Sequence, residues 1–342
     1  MASASHTLTR AVRGGPPEEV QRLVTERSVA RDARDYARAD ALRDEIHALG
    51  WEVQDARDGT TVRPALPSAS APTGYVDPGA LESLLDEPAT VDLSVHLLAE
   101  DHPDDLRRCL RALRRHPPSV SWELVVVANA PSFNAEAAVD EEFSDNSERA
   151  APQKRVGPQE RTILRTAERL GWADAVNLGL RRSRGSVTLL LNTSVEPTGD
   201  IATPLIAAFA EASVGIAGGW GVTSPTGRHF HEAPPGEVDA VEAYALGIRR
   251  EALRAVGGFD HRFRFYRHAD LDLNFAVRAQ GWRAVAVASF PAVRHEHRGW
   301  SGTPESERER LSRRNFYRFL KHWRDRRDLL LAPDESAHHH HG

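Results

Sequence analysis

Two carboxylates, Asp270 and Asp272, flank Leu271 just before a run that reads as a helix. Carboxylates are a standard choice for moving a proton on and off a hydroxyl. Acids in a first helical turn can also simply complement the positive end of the helix dipole. Val293-Arg294-His295-Glu296-His297 alternates as a strand would, which sets His295 and His297 on one face. Two imidazoles suit a metal, although a zinc site needs further ligands that the spacing does not define. Trp172, Tyr244, Phe265, Tyr266 and Trp300 are rings able to stack on a sugar, and Trp300 is the strongest candidate among them. Gly218-Gly219-Trp220-Gly221 is Gly-rich but has neither the dinucleotide fingerprint nor the P-loop spacing, so a turn or close backbone approach is expected.

The elements that must position these residues follow from apolar periodicity. Val91 to Leu98, Glu123 to Ala128, Thr162 to Arg165 and Val187 to Leu191 read as buried strands. Helices are expected over Asp104–Arg115, Ala173–Arg182 and Pro204–Ala212. Residues 134–149 hold six acids and one base with few large apolar groups, which predicts a surface loop. Strands alternating with helices imply an α/β fold with a mostly parallel sheet covered on both faces. Ligands of such sheets bind beyond the carboxyl ends of the strands, so residues 99–101, Asn129 and 192–196 should share one rim.

Ahead of this lies a small module, residues 1–63. Tyr36, Ala39, Leu42, Ile46 and Leu49 recur at helical steps, Trp51–Asp55 alternates as a strand, and Asp58-Gly59 marks a turn before Thr61–Arg63. Residues 64–89 turn to Pro, Ala, Ser and Gly and read as a linker. The main domain is expected over 90–327, with a flexible tail at 328–342 whose histidine run is tag-like.

Composition bounds the rest. The chain has 342 residues, 40% hydrophobic and 27% charged, which suits about two domains with real cores. Its 44 basic and 49 acidic residues give a net charge of −5, arguing against a dedicated nucleic-acid coat. The only cysteine is Cys109, which excludes an intrachain disulfide and a Cys-rich zinc module. No apolar run is long enough to span a bilayer and Met1–Arg13 has no signal-like core, so a cytoplasmic location is expected.

From about Asp92 to Arg327 an ordered series of segments resembles family-2-type glycosyltransferases with the GT-A fold. Leu93–Leu97 with Pro103–Leu110 is similar to the family's first strand and helix, and Glu123–Asn129 to its second strand. Leu170-Gly171-Trp172 leading to Asn177-Leu178-Gly179 resembles its Gly-aromatic helix. Leu189–Asn192 precedes the place of the metal motif. Val256–Asp260, Ala269–Leu273 and Gly281–Arg283 resemble the acceptor-side signature. The resemblance implies a nucleotide-sugar donor, a hydroxyl acceptor and, in inverting members, a carboxylate base, which falls on Asp270. Asp272 and Trp300 would then lie on the acceptor side, while Glu100, Asn129, Asn177 and Asn192 would line the donor side. A divalent cation, Mg or Mn, would normally neutralise the leaving diphosphate. Here Ser194 stands at the matching position, leaving Glu196 and His295 as candidate ligands. Ala128, Ser194 and Ala269 replace usual acids, so the alternative is a catalytically silent GT-A scaffold that binds a sugar, nucleotide or protein partner.

Two further segments bear on partners. Residues 26–55 resemble the C-terminal tail of bacterial cysteinyl-tRNA synthetases. Their interleaved charges suit a docking or dimerising hairpin, hence a possible homodimer, better than an RNA binder. Residues 306–327 carry nine basic groups behind an apolar face built from Leu311, Phe316, Phe319, Leu320 and Trp323. Docking of that face on the domain is expected; contact with an anionic membrane or RNA is the alternative.

Overall fold

The structure is a computed structural model. It describes residues 16–33, 35, 38–39, 42–43, 45–46, 49, 51–56, 59–64, 75–131, 133–143 and 157–333. The chain divides into two compact units between Thr73 and Gly74.

In the first unit, α1 (Glu18–Asp32) precedes residues that are helical at 38–39, 42–43 and 45–46. Strands β1 (Trp51–Ala56) and β2 (Gly59–Pro64) pair antiparallel, with Ala56 opposite Gly59 across the expected turn. Val20, Leu23, Ala39, Leu42, Ile46 and Val53 make one core. The helical stripe was thus visible in the spacing, although Leu49 is exposed, and Tyr36 lies outside the described residues. The module is a helical segment joined to a β-hairpin.

The second unit begins earlier than the linker reading placed it. Val76 N–H donates to Arg165 O at 2.8 Å, Leu84 N–H donates to Arg181 O at 2.7 Å, and Leu84 and Leu85 are buried. The buried Arg250 guanidinium donates to the carbonyls of Leu84, Glu87, Ser183 and Gly185, tying this strip to the domain. Proline content alone does not reveal such a clamp, since the arginine comes from far along the chain. Residues 65–74 of the expected linker lie outside the described residues.

Eight strands build the main sheet. They are β3 (Val91–Ala99), β4 (Trp122–Asn129), β5 (Arg161–Thr166), β6 (Gly185–Leu191), β8 (Val214–Gly218), β11 (Gly236–Val238), β13 (Ala245–Arg249) and β14 (Arg283–Ala286), in the order β11-β14-β8-β13-β6-β3-β4-β5. β6, β3, β4 and β5 run parallel, as do β8 and β14, whereas β13 is antiparallel to both its neighbours. Successive residues point to opposite faces: Leu189 and Leu191 enter one core, Leu190 the other. α2 (Pro103–Arg115), α3 (Ala135–Phe143) and α5 (Ala202–Phe209) cover the first face. α4 (Trp172–Arg182), α6 (Arg250–Val256) and α7 (Ala269–Ala279) cover the second.

Helix α3 (Ala135–Phe143) takes the place of the first part of the acidic loop expected at 134–149; residues 144–149 lie outside the described residues. Ala135, Ala138 and Val139 are buried at helical spacing, and the buried Glu142 carboxylate meets Arg111 at 3.2 Å and Arg114 at 3.3 Å. Small apolar residues and a long-range ion pair carry the helix, and a count of acids registers neither.

Small strands frame the site: β7 (Val195–Pro197) with β15 (Ala292–Arg294), and β9 (Gly221–Thr223) between β10 (His231–Ala233) and β12 (Ala240–Val241). The short α8 (Arg298–Ser301) leads to α9 (Glu305–Trp323), whose Phe319 is buried with Leu271 and Phe275 of α7. Burying one such ring contributes about 2–3 kcal/mol. The apolar face of the basic C-terminal segment therefore docks on the domain.

Candidate functional site

The carboxyl ends of β3, β4 and β6 bring Glu100, Asn129 and Asn192 to one rim, as expected for a parallel arrangement. Above it opens a cavity of about 610 Å³, bounded by the segment after β12, the start of α7, α8 and the first turns of α9. A smaller cleft holding Glu100, Ser194 and Arg298 adjoins it. The two share Trp172, Asn192, Ala243, Tyr266 and His297.

Asp270 lines the larger cavity. Its Oδ2 accepts from Ala243 N–H at 3.1 Å and its Oδ1 from Leu271 N–H at 3.0 Å, which fixes the carboxylate at the head of α7. Burial raises its pKa above the ordinary aspartate value, against the lowering pull of those backbone donors and of Arg267. Glu242, which sequence reasoning missed, faces the same space. Burial and then the charge of Asp270 raise its pKa too, while Arg294 holds it at 3.1 Å. The available signal was a lone acid inside the apolar stretch from Ala240 to Ile248.

Two residues beyond Asp270, Asp272 is carried round α7 to a different environment. It accepts from Trp323 Nε1–H at 2.8 Å and lies 3.3 Å from His322 Nδ1. It lines neither cavity. Trp300 does line the larger one, stacked on Phe265 at 6.3 Å, with Arg267 and Arg308 at 5.3 and 4.9 Å from its ring centre.

The four asparagine and glutamate candidates for the donor side divide. Asn192 borders both cavities, and Glu100 borders the smaller one. Asn129 is fully buried behind them: its amide donates to Glu100 Oε1 and Leu170 O, each at 3.2 Å, and its Oδ1 accepts from Leu170 N–H at 2.8 Å. It orients Glu100 and the loop after β5. Asn177 grips the peptide of Phe259 from both sides, at 2.7 and 2.9 Å, and lines neither cavity. Gly258, at φ +103°, passes so close that a Cβ there would sit 2.5 Å from Asn177 Oδ1.

His295 and His297 do not share a strand face, because β15 ends at Arg294. His295 Nε2 meets Glu196 Oε2 at 2.8 Å, so these two candidates do come together. Arg108 Nε stands 4.0 Å from the same oxygen, and neither His295 nor Glu196 lines either of these two cavities. His297 turns inward instead: its ring stacks on Tyr266 at 4.4 Å, its Nδ1 accepts from Trp300 N–H at 3.2 Å and its Nε2 lies 3.3 Å from Asn192 Nδ2. Burial lowers its pKa, which favours the neutral ring.

The place expected for a metal carboxylate fits a divalent cation poorly. Ser194 Oγ donates to Asn192 Oδ1 at 2.7 Å, and the same oxygen accepts from Ser194 N–H at 2.9 Å. Neither residue offers the charged oxygen that Mg or Mn selects. One other group, Asp260, Asp272 and His322, has ligand atoms within 4.8 Å of one another. Arg262 already occupies it, donating to Asp260 at 2.9 Å with its Nη2 2.9 Å from His322 Nε2, and none of the three lines either of the two cavities.

The mixed sheet, with polar residues gathered on the rim at its strand ends, defines the class: an α/β fold of the GT-A type. Residues 95–272, just over half of the chain, match the family described as glycosyl transferase family 2, and the chain belongs to that family. Residues 13–63 match the cysteinyl-tRNA ligase anticodon binding domain. Over 244 residues the chain is 27% identical to y4gI, an uncharacterized protein of Sinorhizobium fredii, covering 62% of this chain and 26% of that protein. Its N-terminal part is 49% identical over 49 residues to cysteine–tRNA ligase of Opitutus terrae, covering 14% of this chain and 11% of the ligase. The chain thus spans only a minor part of either relative. Among solved structures it is similar to GalNAc-T7 with UDP, GalNAc and Mn2+, with a TM-score of 0.54 at 14% identity, covering 70% of this chain and 50% of that one. That likeness concerns the fold.

Proposed function

We propose that the chain transfers a sugar from a nucleotide-sugar donor to an acceptor hydroxyl with inversion, using Asp270 as general base. The observation that carries this reading is the Asp270 carboxylate, held by two backbone N–H groups and facing a cavity large enough for a sugar and an acceptor. The acceptor oxygen attacks the anomeric carbon from the side opposite the diphosphate. Its proton passes to Asp270 as the bond to the diphosphate oxygen breaks, and the nucleoside diphosphate leaves. A pKa raised by burial makes Asp270 a stronger base than a solvated carboxylate. Glu242 and Trp300 border the space where the acceptor would sit.

UDP-, GDP- and dTDP-sugars offered with hydroxyl acceptors, and read by product formation, test the reaction. Asp270→Asn should lower kcat by about 10²–10⁴-fold, the usual worth of a positioned base, with nucleoside diphosphate binding retained. The acidic limb of the pH–rate profile should lie above an ordinary aspartate value. An unchanged rate in Asp270→Asn refutes the base assignment. Nucleoside diphosphate binding with no turnover of any donor favours the silent scaffold to which Ala128, Ser194 and Ala269 point.

A further inference from the structure

At Asn192 and Ser194, the place of the expected metal carboxylate, the cleft offers no charged oxygen, its carboxylates being Glu100 and Asp105, yet a basic side chain stands there. Arg298 lines this cleft together with Glu100, Asn192 and Ser194. Its Nε lies 3.5 Å from Oδ1 of Asp105, a carboxylate only 3% exposed that also meets Arg108 at 2.9 Å. That ion pair is made on the Nε side, and neither Nη group of Arg298 has a hydrogen-bond acceptor among the described residues. A guanidinium presents paired N–H donors in a fork that matches phosphate oxygens, and its charge does not depend on pH.

We propose that this chain receives the donor's diphosphate on Arg298 in place of a divalent cation, with Asp105 positioning the guanidinium. The proposal rests on the nucleotide-sugar reading and adds to it how the leaving charge is met. Glu100 is the other carboxylate of the cleft, and one of its oxygens already accepts from Asn129. Ser194 is closed to a cation by its bonds to Asn192.

Calorimetric titration of the full chain with UDP, GDP and dTDP, each in EDTA and in Mn2+, tests this. At least one should bind with the same Kd, within about twofold, in both media, and the Mn2+ electron-paramagnetic signal should stay that of the free ion. Arg298→Ala should weaken that binding by about tenfold or more, as expected for losing a bidentate charge-assisted contact, with Arg298→Lys in between. Arg298→Gln, which keeps most of the stem and drops the charge, serves if the alanine variant melts early. Binding tightened about tenfold or more by Mn2+, or untouched by loss of Arg298, overturns the proposal alone. No binding of any nucleoside diphosphate in either medium removes the donor reading beneath it as well.

Discussion

On β3 the His96 imidazole is fully buried, with Nε2 2.9 Å from Val176 O, and burial lowers its pKa from 6.5 to about 4. Between those values the unfolded chain binds a proton that the folded chain refuses, so stability is lost as pH falls from about 6.5 toward 4. A full shift of this size is worth on the order of 3 kcal/mol. His268, also lowered to about 4 by burial beside Arg267, acts in the same direction. Asp270, Asp272 and Glu242 oppose it, because burial raises their pKa and protonation relieves them as pH falls. Urea unfolding at pH 7 and pH 5 separates these effects: the native chain should lose more stability between the two than His96→Gln. Equal losses would assign the effect elsewhere. Residue types suggested some of this site. Asp270 and Asp272 are indistinguishable as letters, and only the turn of α7 sends one to the cavity and the other to Trp323.

Helix α4 approaches the sheet where Gly179 faces His96. A Cβ on that glycine would lie 2.4 Å from the imidazole carbon and Nε2, closer than any side chain tolerates. Gly179→Ala should therefore destabilise the domain by about 1–3 kcal/mol, the range for overpacking a filled core. Replacing His96 by Ala in the same chain should recover part of that loss, a coupling that a double-mutant cycle reads directly. At this scale the sequence was legible wherever one period dominated. Val187–Leu191 and Leu106, Leu110 and Leu113 announced a strand and a helix, and both are present. Helix α3 was hidden because its buried stripe is alanine and valine, and the His295–His297 alternation misled because β15 stops one residue short of it.

The break between Thr73 and Gly74 separates two units with their own cores. A chain beginning at Gly74 keeps the strip that Arg250 clamps, so it should fold with the sheet's melting temperature nearly unchanged and retain nucleoside diphosphate binding. Loss of cooperative unfolding in that truncation would show that the first unit is needed for the second. Its apparent mass by light scattering, compared with the full chain, tests the proposed pairing of the N-terminal module. No helix among the described residues is long and apolar enough to cross a membrane.

Sequence by itself determined the parallel strands β3 to β6, the hairpin of the first unit, several helices and the family, since each depends on neighbours a few residues apart and on short motifs in order. Strands β8, β11, β13 and β14, which complete the sheet, are too short to announce themselves. Tertiary structure alone decided which polar groups meet: Glu242 with Asp270, His297 with Asn192, Arg298 with Asp105, Arg250 with Leu84. These partners are separated by 28 to 193 positions, and their encounter is fixed by how helices pack on a twisted sheet, a property no local period encodes.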